Sequence, residues 1–239
     1  DRIIHKENPS AILNGRLKSY GDYDTPEQNM PIIHPDRKTW ELCLTSNDNW
    51  GYRPKDQNMK TVNEVLQIFT ECLGMGGNLL LDIGPKADGT IPEAQVQLLK
   101  AIGRWTSKHK EAIYGTSAGL PYGHFHGNST LSKDSLSLFL FIPAVGIDTS
   151  NQVTREIHYG NIPSSPVATS NLKVNVQLKG LMSEIESITV LGTNTSVPYK
   201  IVGKIDWSYV PGTLYLDVPI SSLDPEISVI KIKLKTPLK

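Results

Sequence analysis

The chain has 239 residues, enough for one large domain or two ordinary domains, each with a substantial core. Its 24 lysines and arginines balance 24 aspartates and glutamates, and no basic run indicates a nucleic-acid-binding surface. No apolar run reaches the roughly 18–20 residues of a membrane-spanning helix. The opening, DRIIHKENPSAILNGR, is typical of the middle of a domain, so we expect a piece of a longer protein.

The first half of the chain alternates short apolar runs with helical patterns. Residues 11–15, 39–46 and 78–84 are predicted strands, and the last is nearly continuously apolar, as in a parallel strand covered on both faces. A helical stripe from Val62 to Leu73 lies between the second and third strands. This order predicts a parallel α/β layer.

Helix boundaries can be predicted from capping patterns. Thr61 and Glu64 form a capping box at the start of the first helix, and Gly74 is placed to end it. Thr90 and Glu93 repeat the box before a second helix, with Pro92 in its first turn. Apolar residues on one face of that helix continue to Trp105.

After residue 118 the pattern changes to short strands separated by Gly, Pro, Asn and Asp. In the last strand Ile230, Ile232 and Leu234 alternate with lysines, so that one face is buried and the other solvated. The segments are 136–143, 175–181, 185–192, 212–219 and 227–235. They predict an antiparallel β-sandwich.

Several motifs that resemble cofactor or metal sites lack the required context. The glycines of GMGGN, residues 74–78, follow a helix and precede a strand, the reverse of a nucleotide-binding loop. DIGPKADGTIPE has a glycine where a calcium loop needs its first carboxylate. His124 and His126 have no third ligand at zinc-like spacing, and Cys43 and Cys72 are predicted to be buried free thiols.

One acidic stretch carries the strongest chemical signal. YGDYDTPEQNMP, residues 20–31, is compatible with a solvated surface loop, but it follows one predicted strand and precedes the next. The loop after the first strand would then carry Arg16, Asp22, Asp24 and Glu27, and the loop after the second would carry Asn47, Asp48, Asn49, Trp50 and Tyr52. Both loops would open on one face. A cation, an acid and an aromatic ring suit a sugar, because they supply hydrogen bonds, a proton and a stacking surface.

Four ordered motifs carry a family resemblance. GDYDTPEQ, WELCLTSNDNWGY, GGNLLLDIGPKADGTIPE and KEAIYGT resemble successive signatures of the retaining α-L-fucosidases, a glycoside hydrolase family. The resemblance implies an α/β plus all-β fold. Residues 1–118 would be the carboxyl-terminal part of a (β/α)8 TIM-like barrel, and residues 119–239 an antiparallel β-sandwich domain.

The resemblance also implies site residues and a reaction. Glu27 matches the acid/base of a double displacement on terminal α-L-fucose, with Asp22, Asp24 and Glu41 as alternative acids. Arg16 matches a sugar-contacting arginine, and Trp50 an aromatic residue packed near the fucose methyl group. The implied substrate is a fucosylated oligosaccharide or glycoconjugate, no cofactor or metal is required, and the expected location is periplasmic, secreted or lysosomal.

No residue of this sequence matches the family's nucleophilic aspartate. We therefore expect the missing amino-terminal half of the barrel to be required, and the chain alone to be inactive. The alternative function is a non-catalytic carbohydrate-binding or structural module in which the sandwich is the working part. Against it, four aromatic residues of the second half are expected mostly to pack in the core or a domain interface: Tyr159, Trp207, Tyr209 and Tyr215.

Overall fold

The computed structural model describes residues 2–16, 21–35, 39–143 and 173–238. They fall into two compact units that divide between Ser107 and Lys108. The sequence placed the boundary at 118, but the short strand at 116–118 pairs within the second unit. Within the described ranges, no helix is long and apolar enough to cross a membrane.

The first unit contains a small parallel sheet and its helices. The elements are α1 (Arg2–Glu7), β1 (Glu41–Thr45), α2 (Val62–Gly74), β2 (Asn78–Asp82) and α3 (Glu93–Lys108). β1 and β2 pair in parallel, with Glu41 opposite Asn78 and Thr45 opposite Asp82. The two predicted strands at 39–46 and 78–84 are confirmed, whereas residues 11–15 form no regular strand and contribute one bridge, Asn14 to Tyr23.

One of the two predicted capping boxes is present. The Glu64 N–H donates to the Thr61 hydroxyl at 3.2 Å, and the Thr61 N–H donates to the Glu64 carboxylate at 2.7 Å, so α2 begins as predicted. The box predicted at Thr90 is wrong. The hydroxyl and the N–H of Thr90 both donate to the Asp88 side chain, two residues earlier. The helix α3 begins later, at Glu93.

The core of the first unit lies on one face of the sheet. Trp40, Leu42 and Cys72 are fully buried and pack together. The Trp40 ring occupies the space beside Gly77, where an added Cβ would lie 2.3 Å from the ring. The other face is open, and Leu80 on β2 is 48% exposed. The prediction that β2 is covered on both faces is therefore wrong for the described residues.

The second unit is an antiparallel β-sandwich, as predicted. A short helix, α4 (Lys110–Ile113), precedes a six-stranded sheet in the order β3-β4-β5-β11-β7-β8 and a three-stranded sheet in the order β6-β10-β9. The strands are β3 (Thr116–Ala118), β4 (Asn128–Ser132), β5 (Ser137–Pro143), β6 (Lys173–Lys179), β7 (Ile185–Val190), β8 (Thr195–Ser196), β9 (Tyr199–Val202), β10 (Thr213–Pro219) and β11 (Ile227–Leu234).

Apolar side chains from both sheets form one core. Leu140 and Ile232 from the large sheet pack in the same buried cluster as Leu178 and Leu216 from the small sheet. The alternation predicted for β11 is confirmed, because its isoleucines and Leu234 are buried while its lysines reach solvent. The hydrophobic contact between the sheets accounts for the stability of this unit.

A buried polar cluster closes the loop between β10 and β11. The Asp224 carboxylate lies 2.7 Å from the Lys108 ammonium and 3.4 Å from Nε2 of His109, a fully buried side chain. Burial alone would raise the pKa of Asp224. Hydrogen bonds from His109 and Lys108 outweigh that effect and hold the pKa well below its usual range.

We expect Asp224→Asn to lower the free energy of unfolding of the sandwich by about 1–3 kcal/mol at pH 7, because it weakens the bonds to Lys108 and His109. A depressed pKa stabilises the fold above the unfolded-state pKa, about 3.9, and this contribution disappears as the pH falls through the folded-state value. Urea unfolding between pH 7 and pH 2 should therefore show the two curves converging at low pH.

The matched control is Glu186→Gln, which removes the half-exposed ion pair with Lys233. It should change the unfolding free energy by less than about 1 kcal/mol, because exposed pairs contribute little. An Asp224 variant no less stable than this control would contradict the role assigned to the buried cluster.

A second prediction concerns the packing of Trp40. Gly77→Ala should destabilise β1 and β2 by about 1–3 kcal/mol, because the new methyl group meets the rigid indole. Gly103→Ala is the control, since nothing lies within 4 Å of its Cβ position on α3, and it should stabilise by about 0.5–1 kcal/mol. Hydrogen exchange of the β1 and β2 amides measures both effects, and equal protection in the two variants would refute the packing argument.

Candidate active site

Residues 24–28 form an irregular extended segment along the edge of β1. The Glu41 N–H donates to the Asp24 carbonyl at 2.9 Å, and the Cys43 N–H donates to the Pro26 carbonyl at 3.0 Å. The Gln28 N–H returns a bond to the Cys43 carbonyl at 2.8 Å. Although Pro26 has no N–H to donate, this segment runs parallel to β1, and Glu27 lies opposite Cys43.

Arg16 and Glu27 form an ion pair. The guanidinium Nη2 lies 2.6 Å from the Glu27 carboxylate, and Nε donates to the Thr25 hydroxyl at 3.3 Å. The turn before Arg16 is held by its own N–H, which donates to the Asn14 side chain at 3.2 Å. The two residues that the sequence assigned to proton transfer and sugar contact are therefore in direct contact.

A cleft of about 410 Å³ opens beside this ion pair on the exposed face of the sheet. Its size lies within the range of small-molecule sites. The cleft brings together all three predicted site residues, Arg16, Glu27 and Trp50, as well as the alternative acid Glu41. The remaining lining residues are Asn14, Tyr23, Thr25, Cys43 and Leu80.

The loop that carries Trp50 is tied to both strands. Gln95 of α3 donates to the Ser46 hydroxyl at the end of β1 and accepts the Gly84 N–H after β2. Within the loop, the Asp56 carboxylate accepts bonds from the Asn49 side chain and from the N–H of Asn58. These bonds lower the pKa of Asp56, so the loop is held by a charged acceptor.

Several charges converge on Cys43. Burial raises the pKa of its thiol, while the guanidinium of Arg16 opposes the rise. The remaining charged neighbours are carboxylates that raise it further: Glu27, Asp82 and Glu41. Among the described residues, the charges around Cys43 are therefore three carboxylates and the guanidinium of Arg16.

Asp82 is a candidate site residue that was not predicted from the sequence. It lies opposite Thr45 at the carboxyl end of β2, on the same face as Cys43. Its Oδ2 is buried without a hydrogen-bond partner in the described part of the chain, and burial raises the pKa of the group. The parallel register with β1 could have revealed it, but the run NLLLD was interpreted as apolar on both faces.

The other alternative acids have different surroundings. The Asp22 carboxylate accepts the Leu13 N–H at 2.8 Å, which holds two backbone segments together. Asp24 borders a second, more open cavity of about 610 Å³, which Arg16 and Glu27 also line. Glu27 lines both cavities, unlike Asp22, Asp24 or Glu41.

The histidines singled out from the sequence lie elsewhere. Nδ1 of His124, in the second unit, is 2.9 Å from the Lys179 carbonyl on β6, a packing contact. Among residues 2–16, 21–35, 39–143 and 173–238, no group of three or more His, Cys, Asp or Glu is arranged to hold a metal ion.

Comparison with known proteins identifies the segment that holds this cleft. The sequence model of the family described as alpha-L-fucosidase matches residues 2–111. Residues 2–111 are therefore similar to the alpha-L-fucosidase family. The match includes Arg16, Glu27 and Trp50, so the whole set of predicted site residues lies in the matched segment.

Individual relatives agree with this assignment. The tissue alpha-L-fucosidase of Rattus norvegicus is 40% identical over 126 residues, which are 47% of this chain and 27% of the rat protein. The chain thus spans about a quarter of that relative's length.

Solved fucosidase structures match the fold of nearly the whole chain. Alpha-L-fucosidase isoenzyme 1 from Paenibacillus thiaminolyticus is 25% identical with a TM-score of 0.74, over 98% of this chain and 52% of that one. The alpha-L-fucosidase from Vibrio sp. strain EJY3 is also 25% identical, with a TM-score of 0.75, over 100% of this chain and 38% of that one.

A backbone contact positions the Trp50 loop of the matched segment. A Cβ on Gly84 would lie 2.7 Å from the Tyr52 nitrogen, whereas nothing lies within 4 Å of the Cβ position of Gly51. We expect Gly84→Ala to displace the loop and raise amide hydrogen exchange at residues 46–60 by about tenfold or more, the equivalent of about 1.4 kcal/mol. Gly51→Ala should leave the exchange unchanged. Similar exchange in both variants would show that the contact does not position the loop.

Proposed function

We propose that a longer protein containing this segment is a retaining α-L-fucosidase that releases terminal α-L-fucose from glycans. The observation that carries the proposal is the convergence of Arg16, Glu27 and Trp50 on one cleft within the family-matched segment. These side chains belong to separate backbone segments, so their proximity results from the fold and not from their spacing in the sequence.

Glu27 is the proposed acid/base. In the first step an aspartate attacks the anomeric carbon, the glycosidic C–O bond breaks, and Glu27 gives its proton to the leaving oxygen. In the second step the Glu27 carboxylate removes a proton from water, which displaces the aspartate from the sugar. Arg16 is within hydrogen-bond distance of the carboxylate and can orient it, while Trp50 offers an apolar surface to the sugar.

We further propose that the first unit is part of a (β/α)8 barrel. Three observations support this: the parallel pairing of residues 24–28, β1 and β2, the burial of one face beneath α2, and the exposed opposite face that lines the cleft. The amino-terminal half of the barrel would cover that face and supply the nucleophilic aspartate. On this proposal the first unit, residues 1–107, belongs to the barrel, and the second unit, residues 108–239, is the sandwich domain.

The substrate class follows from the proposed reaction. A fucosylated oligosaccharide or glycoconjugate is the expected substrate, and the double displacement requires only carboxylates and water. Because such glycans are met mostly outside the cytosol, a periplasmic, secreted or lysosomal location is proposed.

The decisive experiment uses the longer protein and an aryl α-L-fucoside. Glu27→Gln should lower turnover about a hundredfold or more, since general acid/base catalysis typically contributes 10²–10⁴. Azide should restore turnover, because it attacks the covalent intermediate without needing a base. The product should be α-fucosyl azide, since a second inversion at the anomeric carbon retains the original configuration.

Glu41→Gln is the matched control, because Glu41 is a second carboxylate that lines the same cleft. Its turnover should stay within a few-fold of the wild type and should not respond to azide. A β-configured azide product from the Glu27 variant would instead assign Glu27 as the nucleophile. The same assay is applied to residues 1–239 alone, for which we expect no turnover.

A further inference from the structure

The sandwich carries an exposed apolar surface at the edge of its small sheet. All four residues of β9 are exposed, including Tyr199 and Ile201. The turn that follows contains Trp207, which is 87% exposed, and Tyr209, which is 81% exposed. The expectation that these two aromatic side chains are packed in a core or interface is wrong for the described residues, and Tyr159 lies outside them.

The turn holds the backbone of Tyr209 in a costly conformation. Residues 206–208 form a single 3-10 turn, closed by hydrogen bonds between Ile205 and Val210. Tyr209 follows it in the left-handed region, with φ of 55°. A bulky side chain is unfavourable there, and such strain is concentrated at functional sites such as ligand clamps. The geometry projects both rings into solvent.

A polar cleft of about 250 Å³ lies beside this turn. Lys204 and Lys235 line it, and each forms an ion pair with a carboxylate: Lys204 with Asp206 at 2.7 Å, and Lys235 with Glu184 at 3.0 Å. Tyr199 and Ile201 form its apolar wall. Lys204 therefore connects the cleft directly to the turn that carries Trp207.

We propose that the Trp207–Tyr209 turn and this cleft form a binding site for neutral oligosaccharides, separate from the cleft in the first unit. Aromatic rings cover the apolar faces of sugar rings, and each ion pair presents a donor and an acceptor side by side, the pattern that vicinal hydroxyl groups complement. Charged residues are depleted from the centre of protein interfaces, so the paired lysines and carboxylates favour a sugar over a second protein.

The proposal goes beyond the hydrolytic function and does not depend on it. Glu27, Arg16 and Trp50 belong to the first unit, whereas every residue of this site belongs to the second. Binding here would hold a glycan on the protein without any step of bond cleavage. Loss of one function can therefore be measured while the other remains.

The test is NMR titration of the full chain with 2′-fucosyllactose and with lactose, its fucose-free parent. We expect saturable shifts of the Trp207 indole N–H and of residues 199–210, with a Kd of about 1 mM. Trp207→Ala should weaken binding about tenfold or more. Tyr209→Gly should weaken it as well and, because glycine accepts a positive φ, should leave the fold intact.

Tyr122→Ala is the matched control, since Tyr122 is 97% exposed in the same unit and lies outside the cleft. It should bind like the wild type. Binding of both sugars supports the site. Equal affinity for the two sugars would indicate that the site recognises the lactose core and not fucose. Shifts at Trp50 alone, or no saturable shift with either sugar, would overturn the proposal. A change in molecular mass caused by Trp207→Ala without loss of sugar binding would assign the surface to self-association instead.

Discussion

Backbone pairing on both sides of β1 determines the position of the residues around the cleft. On one side β2 runs in parallel register, and on the other residues 24–28 bond to the same strand. Trp40 fixes this arrangement from beneath, because its fully buried ring fills the space beside Gly77 at the turn into β2. The side chains of Glu27, Arg16 and Trp50 then line the cleft on the open face.

The parts of the first unit that the sequence predicted are those decided locally. The α2 helix follows from its apolar stripe and its Thr61–Glu64 box, which involve residues three apart. The segment around Glu27 could not be recognised as a neighbour of β1, because Pro26 interrupts its N–H pattern and no alternation of apolar residues marks it. Its residues pair with partners sixteen positions later in the chain, as Glu27 does with Cys43.

In the sandwich, too, only features that depend on local sequence were predicted correctly. The alternation in β11 predicted its buried face correctly, because the core lies directly against it. Trp207 and Tyr209 were expected to be packed because aromatic residues usually are. Their exposure results from the position of β9 at the sheet edge and from the turn after it, features set by strand order and not by local sequence. The three proposed site residues were found from the family motifs, whereas Asp82 required the register.

The two cysteines lie on opposite faces of the parallel sheet. Cys72 packs beneath it with Leu42, while Cys43 lines the open cleft, so β1 itself separates the sulfur atoms. Burial raises the pKa of Cys72 to about 12 and also raises that of Cys43. Both side chains therefore remain protonated thiols near neutral pH, the form that is slow to attack disulfides or peroxides. Cys43 can thus line the cleft without its sulfur becoming the reactive group.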